Sequence, residues 1–236
     1  MSIQQCAGEQ LHFQGLGARK IVGTFDGGTI TSDAGGLLLR EVDLRGGILD
    51  RFADCFLDWR ESGYAEHPVR QLLAQRVYGL CLGYEDLNDH EQLRYDPLFA
   101  AVCGQSDVLG ERRRRESDTG KTLAGKSTLQ RLESAPAVGD QIGRYHRIFH
   151  DPEAIERYFV EHFLDHYNGG CQPGQIVIDL DATDDPIHGN QEGRFFHGFY
   201  NCYCYLPLYI FCEGYLLAAK LRRSNIDASL GADTEL

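Results

Sequence analysis

The amino-acid sequence predicts an α+β protein, mostly helical up to about residue 170 and stranded after it, and three observations carry that prediction. Before residue 170 the apolar residues recur at three- and four-residue steps, the spacing of a helix with one buried face. After it the chain is dense in β-branched and aromatic residues, at 176–178 and again at 195–212, which suit a pleated surface. Between the two lies 168–174, which contains Gly169, Gly170 and Gly174. The expected domains are therefore a mostly helical region at 1–170 and a stranded domain at 171–236.

In chain order, residues 21–25 and 29–31 flank Asp26-Gly27-Gly28, a turn sequence between two β-prone runs, which predicts a hairpin. Ser32 is placed to cap a helix that Gly46 and Gly47 end. Pro68 suits a first helical turn, and the helix predicted at 68–82 puts Val69, Leu72, Leu73, Leu80 and Cys81 on one side as core. The acidic stretch 85–92 opens another helix, broken at Asp96-Pro97. Residues 104–125 are polar, charged and punctuated by glycine, the pattern of a long loop. Ser127 and Gln130 have capping-box spacing, so a short helix is expected at 127–134. Residues 153–166 form a third strong helix, with Ile155, Phe159 and Phe163 four apart and Gly169-Gly170 as its stop.

The next segment carries the chemistry. Ile176, Val177 and Ile178 read as a buried strand that delivers acids to its end. Side chains alternate across a strand, so Asp179, Asp181 and Thr183 share one face and Ile178, Leu180 and Ala182 the other. Burying an unpaired carboxylate costs several kcal/mol. The acidic face must then be open to water, paired, or neutralised by a hard cation such as Mg²⁺ or Mn²⁺; the plainer alternative is a surface strand with solvated acids. A polar loop at 188–193 brings His188, Gln191 and Glu192 close in sequence. An aromatic run, a turn at Glu213-Gly214 and a return at 215–222 complete a strand, a loop and a long hairpin. Three antiparallel strands with acids on the first suit the opening of a ribonuclease-H-like mixed sheet.

At this point the sequence resembles bacterial insertion-sequence transposases with an Asp-Asp-Glu (DDE) catalytic domain. Residues 179–193 are similar to that group's DxDxTDDPxHGxQEG segment, 83–98 to its GYEDxND…LRxDP block, 127–133 to its ST…RLE block and 26–36 to its DGGxITSDAGG. The four blocks stand in the family's order. The resemblance implies DNA transposition: metal-dependent phosphodiester hydrolysis at the transposon end, then attack of the freed 3′-hydroxyl on target DNA. It implies Mg²⁺ or Mn²⁺ as cofactor, DNA ends and target as partners, and a homodimer as an option for the full-length enzyme. The first catalytic acid and metal ligand carries over to Asp181, with Asp179 as close competitor, and Asp184 and Asp185 are left as loop acids. The helices at 67–133 would recognise the DNA end, with Arg131, Arg113 and Arg114 as phosphate contacts.

The sequence also departs from the family. Its members run considerably longer, with the second Asp and the Glu after the hairpin, and neither Asp227 nor Asp233 has the RGDSGF-like context of that second acid. The expectation is an N-terminal fragment with a truncated, incomplete catalytic domain, inactive alone. Two other readings stay open. Asp179-Leu180-Asp181-Ala182-Thr183 also fits the D-x-D-x-T motif of haloacid-dehalogenase-like phosphatases, with Asp179 as nucleophile and Asp181 as acid/base; that fold needs a doubly wound sheet. The third is a non-catalytic, DNA-binding transposase remnant.

Composition sets limits. A net charge of −12 and a pI near 5.1 weigh against general nucleic-acid affinity, because phosphate contact needs Lys and Arg in quantity. A local patch must supply it, and the arginines at 112–115, flanked by Glu111 and Glu116, are either that patch or a solvated loop. The eight cysteines lack C-x-x-C spacing, with Cys202, Cys204 and Cys212 the one grouping a metal could use. Free thiols point to a reducing compartment. No apolar run approaches the roughly 20 residues that span a bilayer, and no leader pattern opens the chain. A cytoplasmic location without a membrane partner is expected.

Overall fold

The computed structural model describes residues 10–25, 31–140, 143, 146–167 and 174–235. Its class is α+β, with seven α-helices and four small antiparallel sheets among the described residues. The chain divides into two compact units, Met1–Asp151 and Pro152–Leu236.

The first unit opens with a hairpin, β1 (Leu11–Leu16) and β2 (Arg19–Gly23). The hairpin expected around Asp26-Gly27-Gly28 lies at residues 26–30, outside the described residues. Helix α1 (Gly36–Gly46) has Gly35, not Ser32, at its N-cap, and no side chain caps it. Packing sets this start: a Cβ on Gly36 would meet both Val102 methyls at 3.3 Å. The end is as expected, with Gly47 left-handed at φ 61° and its N–H on the Asp43 carbonyl. Helix α2 (Ile48–Ala53) and strand β3 (Phe56–Asp58) follow.

Helix α3 (Val69–Cys81) is the centre of this unit, because apolar clusters press on it from two sides. Ala74 and Tyr78 join Leu49 and Phe99 in one cluster, while Leu72 and Leu73 join Leu129 and Ile148 in the other. A single-sided helical pattern could not anticipate this. Leu80, 45% exposed, and Cys81, exposed, are therefore not core, and Ala74 and Tyr78 are.

Buried polar groups fix the helix in place. Gln75 is fully buried; its Oε1 accepts the Ala124 N–H at 3.0 Å and its Nε2 donates to the Ala124 carbonyl at 2.8 Å. Buried Asp43 accepts from the Leu49 N–H at 2.7 Å, the Tyr78 hydroxyl at 2.6 Å and Arg70. Burial and that acid push the Tyr78 hydroxyl's pKa up.

Helix α4 (His90–Leu93) ends before Asp96, whose carboxylate caps α5 (Pro97–Val102) through the Leu98 N–H at 2.7 Å. Asp96-Pro97, read as a breaker, also starts a helix. Helix α6 (Lys126–Glu133) begins one residue before Ser127, so the capping box does not form. Glu91 does the capping from a distance, accepting the Lys126 N–H at 2.7 Å. Strand β4 (Ile148–His150) closes the unit against β3.

The second unit runs through α7 (Pro152–Tyr167), β5 (Ile178–Ala182), β6 (Asp185–Pro186), β7 (Phe195–His197), β8 (Cys202–Tyr205), β9 (Leu208–Cys212) and β10 (Tyr215–Lys220). One antiparallel sheet has the order β10-β9-β5, the other β6-β8-β7. Helix α7 lies along β10, where Phe163 and His166 meet Tyr215 at ring distances of 5.7 and 5.1 Å; its expected glycine stop lies outside the described residues. The buried strand expected from Ile176 is corrected. Ile176 and Val177 precede β5 and are 50% and 68% exposed, and β5 pairs on one side only, as an edge.

Replacing Gln75 by Leu strands both Ala124 groups in the interior, at about 1–3 kcal/mol for each. Urea unfolding of Gln75→Leu should show a loss of about 2 kcal/mol or more, and an unchanged midpoint would contradict the bidentate role.

Candidate active site

The register of β5 against β9 decides which way the acids face. Asp179 stands opposite Phe211 and Asp181 opposite Tyr209, while Ile178, Leu180 and Ala182 stand opposite Cys212, Ile210 and Leu208. Directly paired residues share a face. The acids therefore share theirs with two aromatic rings, and the apolar set goes with buried Cys212, Ile210 and Leu208. Two residues along a strand separate the acids by about 7 Å at Cα.

Both Asp179 and Asp181 are exposed, and neither has a hydrogen-bond or ion-pair partner among the described residues. They are acids without cations, on an edge. Among the described residues no three His, Cys, Asp or Glu side chains come together as a metal cluster. Two carboxylates are present, and Mg²⁺ commonly takes one or two and fills its octahedron with water and substrate phosphate oxygens. The donor set fits a hard divalent cation.

Asp185 is in β6, paired with Tyr205, and Asp184 receives only a long 3.9 Å contact from the Cys202 thiol. His188, Gln191 and Glu192 are exposed. Their loop is held by Arg194, which donates to the Gly189 carbonyl and the Asn190 side chain and lies 4.7 Å over the Tyr203 ring.

The nominated arginines belong to the first unit. Arg113, Arg114 and Arg131 line one cavity of about 530 Å³, joined there by Arg60, Arg94 and Arg115. The arginine run is not a loose loop. Gly110 and Gly120 close its base, with the Gly120 N–H on the Gly110 carbonyl at 2.9 Å and so near that a Cβ on Gly110 would be 2.9 Å from the Gly120 carbonyl carbon. The Asp107 carboxylate accepts the N–H groups of Glu111 and Arg112 at 3.2 and 2.7 Å. Glu66 takes Arg113 Nη2 at 2.8 Å and the Arg114 N–H at 2.9 Å. Arg114 itself donates to the Gly63 carbonyl at 2.7 Å and lies 3.8 Å over Tyr64.

Sequence reasoning took in Arg115 with the run at 112–115 but passed over Arg60 and Arg94. Arg94 carried a signal, its place in the LRYDP block; Arg60 carried none, because it reaches the cavity through a turn held by Asp58.

His67 forms the cavity's buried back wall. Its Nε2 accepts from Arg113 at 3.1 Å, so its Nδ1 carries the proton and donates to Gln71 Oε1 at 2.9 Å. Burial, with Arg113 adding to it, keeps the ring's pKa below the usual histidine value. Burial does the same to fully buried His90.

The chain belongs to the transposase DDE domain group 1 family, whose model matches residues 13–236. Membership implies DNA as the substrate. No curated protein and no solved structure matches the chain. No helix among the described residues is long and apolar enough to cross a membrane.

The two neutral histidines fix the sign of one pH effect. Below about pH 6.5 the unfolded chain takes up protons that folded His67 and His90 refuse, so stability falls with acidification toward their lowered folded values. Urea melts should show lower stability at pH 5.5 than at pH 7.5. Equal midpoints would mean that the rings are accessible.

Proposed function

We propose that this protein acts in DNA transposition by metal-dependent phosphoryl transfer, with Asp181 as the first catalytic acid and Asp179 as its partner. One observation carries the reading: two unpaired carboxylates on the solvent face of β5, the first of three antiparallel strands, inside the segment that matches the family's motif. The order β5-β9-β10, with acids on the first strand, is also the basis for reading this unit as the opening of a ribonuclease-H-like sheet. A doubly wound phosphatase sheet would pair its motif strand in parallel, whereas β5 pairs antiparallel.

Mg²⁺ or Mn²⁺, when bound, supplies charge stabilisation at the phosphoryl oxygens and a more acidic water. The chain supplies the rest. Asp179 and Asp181 present oxygen donors from one rigid face, and the β9 pairing fixes their spacing. Tyr209 and Phe211 offer an aromatic surface beside them. The later acids of the triad are not identifiable in residues 1–236, so these residues are expected to bind transposon-end DNA without cutting it. Arg113, Arg114 and Arg131 are assigned to DNA contact, and the site of action is the cytoplasm.

Titration calorimetry with Mn²⁺ tests the reading. Wild-type protein should bind the ion, and Asp181→Asn should weaken binding about tenfold or more, Asp179→Asn less, with thermal unfolding unchanged because both side chains are exposed and unpaired. Binding unaffected by Asp181→Asn would remove the assignment. Hydrolysis of a small phosphomonoester would favour the phosphatase.

A further inference from the structure

We propose that the arginine-lined cavity of the first unit is a built pocket for one phosphate group of a DNA strand, ligated by Arg113, Arg115 and Arg131. The choice of a DNA strand rests on the transposase reading; the phosphate chemistry rests on the cavity alone.

Charge comes first. Six arginines and two carboxylates line the cavity, in a chain whose net charge is −12. The positive excess is therefore local and opposite to the background. The two acids are already engaged, Asp118 by Lys121 at 3.1 Å and Glu66 by Arg113 at 2.8 Å. Arg60 is held by Asp58, and Arg94 by Glu91 at 3.3 Å. Arg115 and Arg131 have no partner among the described residues.

Unmet hydrogen bonding comes next. The Arg113 side chain is only 7% exposed, yet its Nε has no partner, and the Nε of Arg94 is buried and unpartnered as well. Buried donors are nearly always satisfied. The Nη2 of Arg113 is held by Glu66 and His67, so the group is already oriented, and its free Nε–H remains as a charge-assisted donor for one phosphate oxygen.

Space and shape complete the case. The cavity's 530 Å³ exceeds what a phosphate needs and accommodates the attached sugar. Gly125 forms part of the wall, and a Cβ there would be 2.6 Å from Arg94 Nη1 and 2.8 Å from Glu91 Oε1. The wall is drawn in around the arginines. An acidic surface elsewhere repels DNA, so a pocket of this kind would carry a large share of the affinity.

Fluorescence anisotropy with a short labelled duplex at low salt, with inorganic phosphate as competitor, tests the pocket. Arg115 and Arg131 are exposed and unpaired, so Arg115→Gln/Arg131→Gln should keep its thermal melt. It should lose DNA affinity by about tenfold or more, and phosphate should displace DNA from wild type more readily than from the variant. Wild-type affinity in the double variant would overturn the proposal. So would calorimetric binding of inorganic phosphate by wild type with no DNA binding, which would mark a pocket for small phosphates. Mn²⁺ binding at Asp179 and Asp181, measured on the same variant, separates the two sites: its loss in Asp181→Asn speaks to catalysis, and DNA loss in the arginine variant speaks to the pocket.

Discussion

The antiparallel pairing of β5 with β9 is the constraint on which the functional account depends. Because side chains alternate with a period of two, this one register sends Ile178 and Ala182 toward buried Leu208 and Cys212 and leaves Asp179 and Asp181 outside. A slip of one residue would turn both acids toward the half-buried apolar side, where partial desolvation disfavours them. The sequence thus protects its carboxylates by the cost of burying them. The same edge that exposes them gives them no cation among the described residues.

Much of this was legible from the residues. The alternation at 178–183, the turn at Glu213-Gly214 and the strand that returns after it follow from local pattern. The pairing of β5 with β9 does not, because β6, β7 and β8 lie between them and the aromatic run at 195–212 divides between two sheets. What the pattern misjudged was depth. Ile176, Val177 and Ile178 have the composition of a central strand, but composition cannot say how many neighbours a strand has, and β5 has one. The same limit applies to α3, where a one-face pattern included Leu80 and omitted Tyr78 because a helix wrapped on two sides has no single face.

The motif blocks of the first unit turn out to hold one another in place. Tyr84 of the GYED block donates to Asp33 of the SDAGG block at 3.0–3.1 Å, and Glu91 caps the helix that carries the ST…RLE block. Asp96 of LRYDP starts the next helix. Only the last joins near neighbours in sequence, and local pattern reads Asp96-Pro97 as a breaker rather than a cap. The caps that local pattern does offer, Ser32 and Ser127, do not form, because packing and a distant acid set those helix starts. The arginine cavity is illegible for the same reason. Its wall draws on residues from Arg60 to Arg131, brought together by Gln75 clamping Ala124 and by Glu66 holding the Arg113 side chain and the Arg114 N–H, and no spacing rule announces such a convergence.

In the proposed site Asp181 and Asp179 together hold a divalent ion on the open face of β5. An anomalous-difference map from crystals grown with Mn²⁺ tests this. A peak is expected in contact with a carboxylate oxygen of Asp181, on the same side as Tyr209 and Phe211. A map with its peak elsewhere, or a β5 shifted by one residue so that the acids face Ile210, would contradict it.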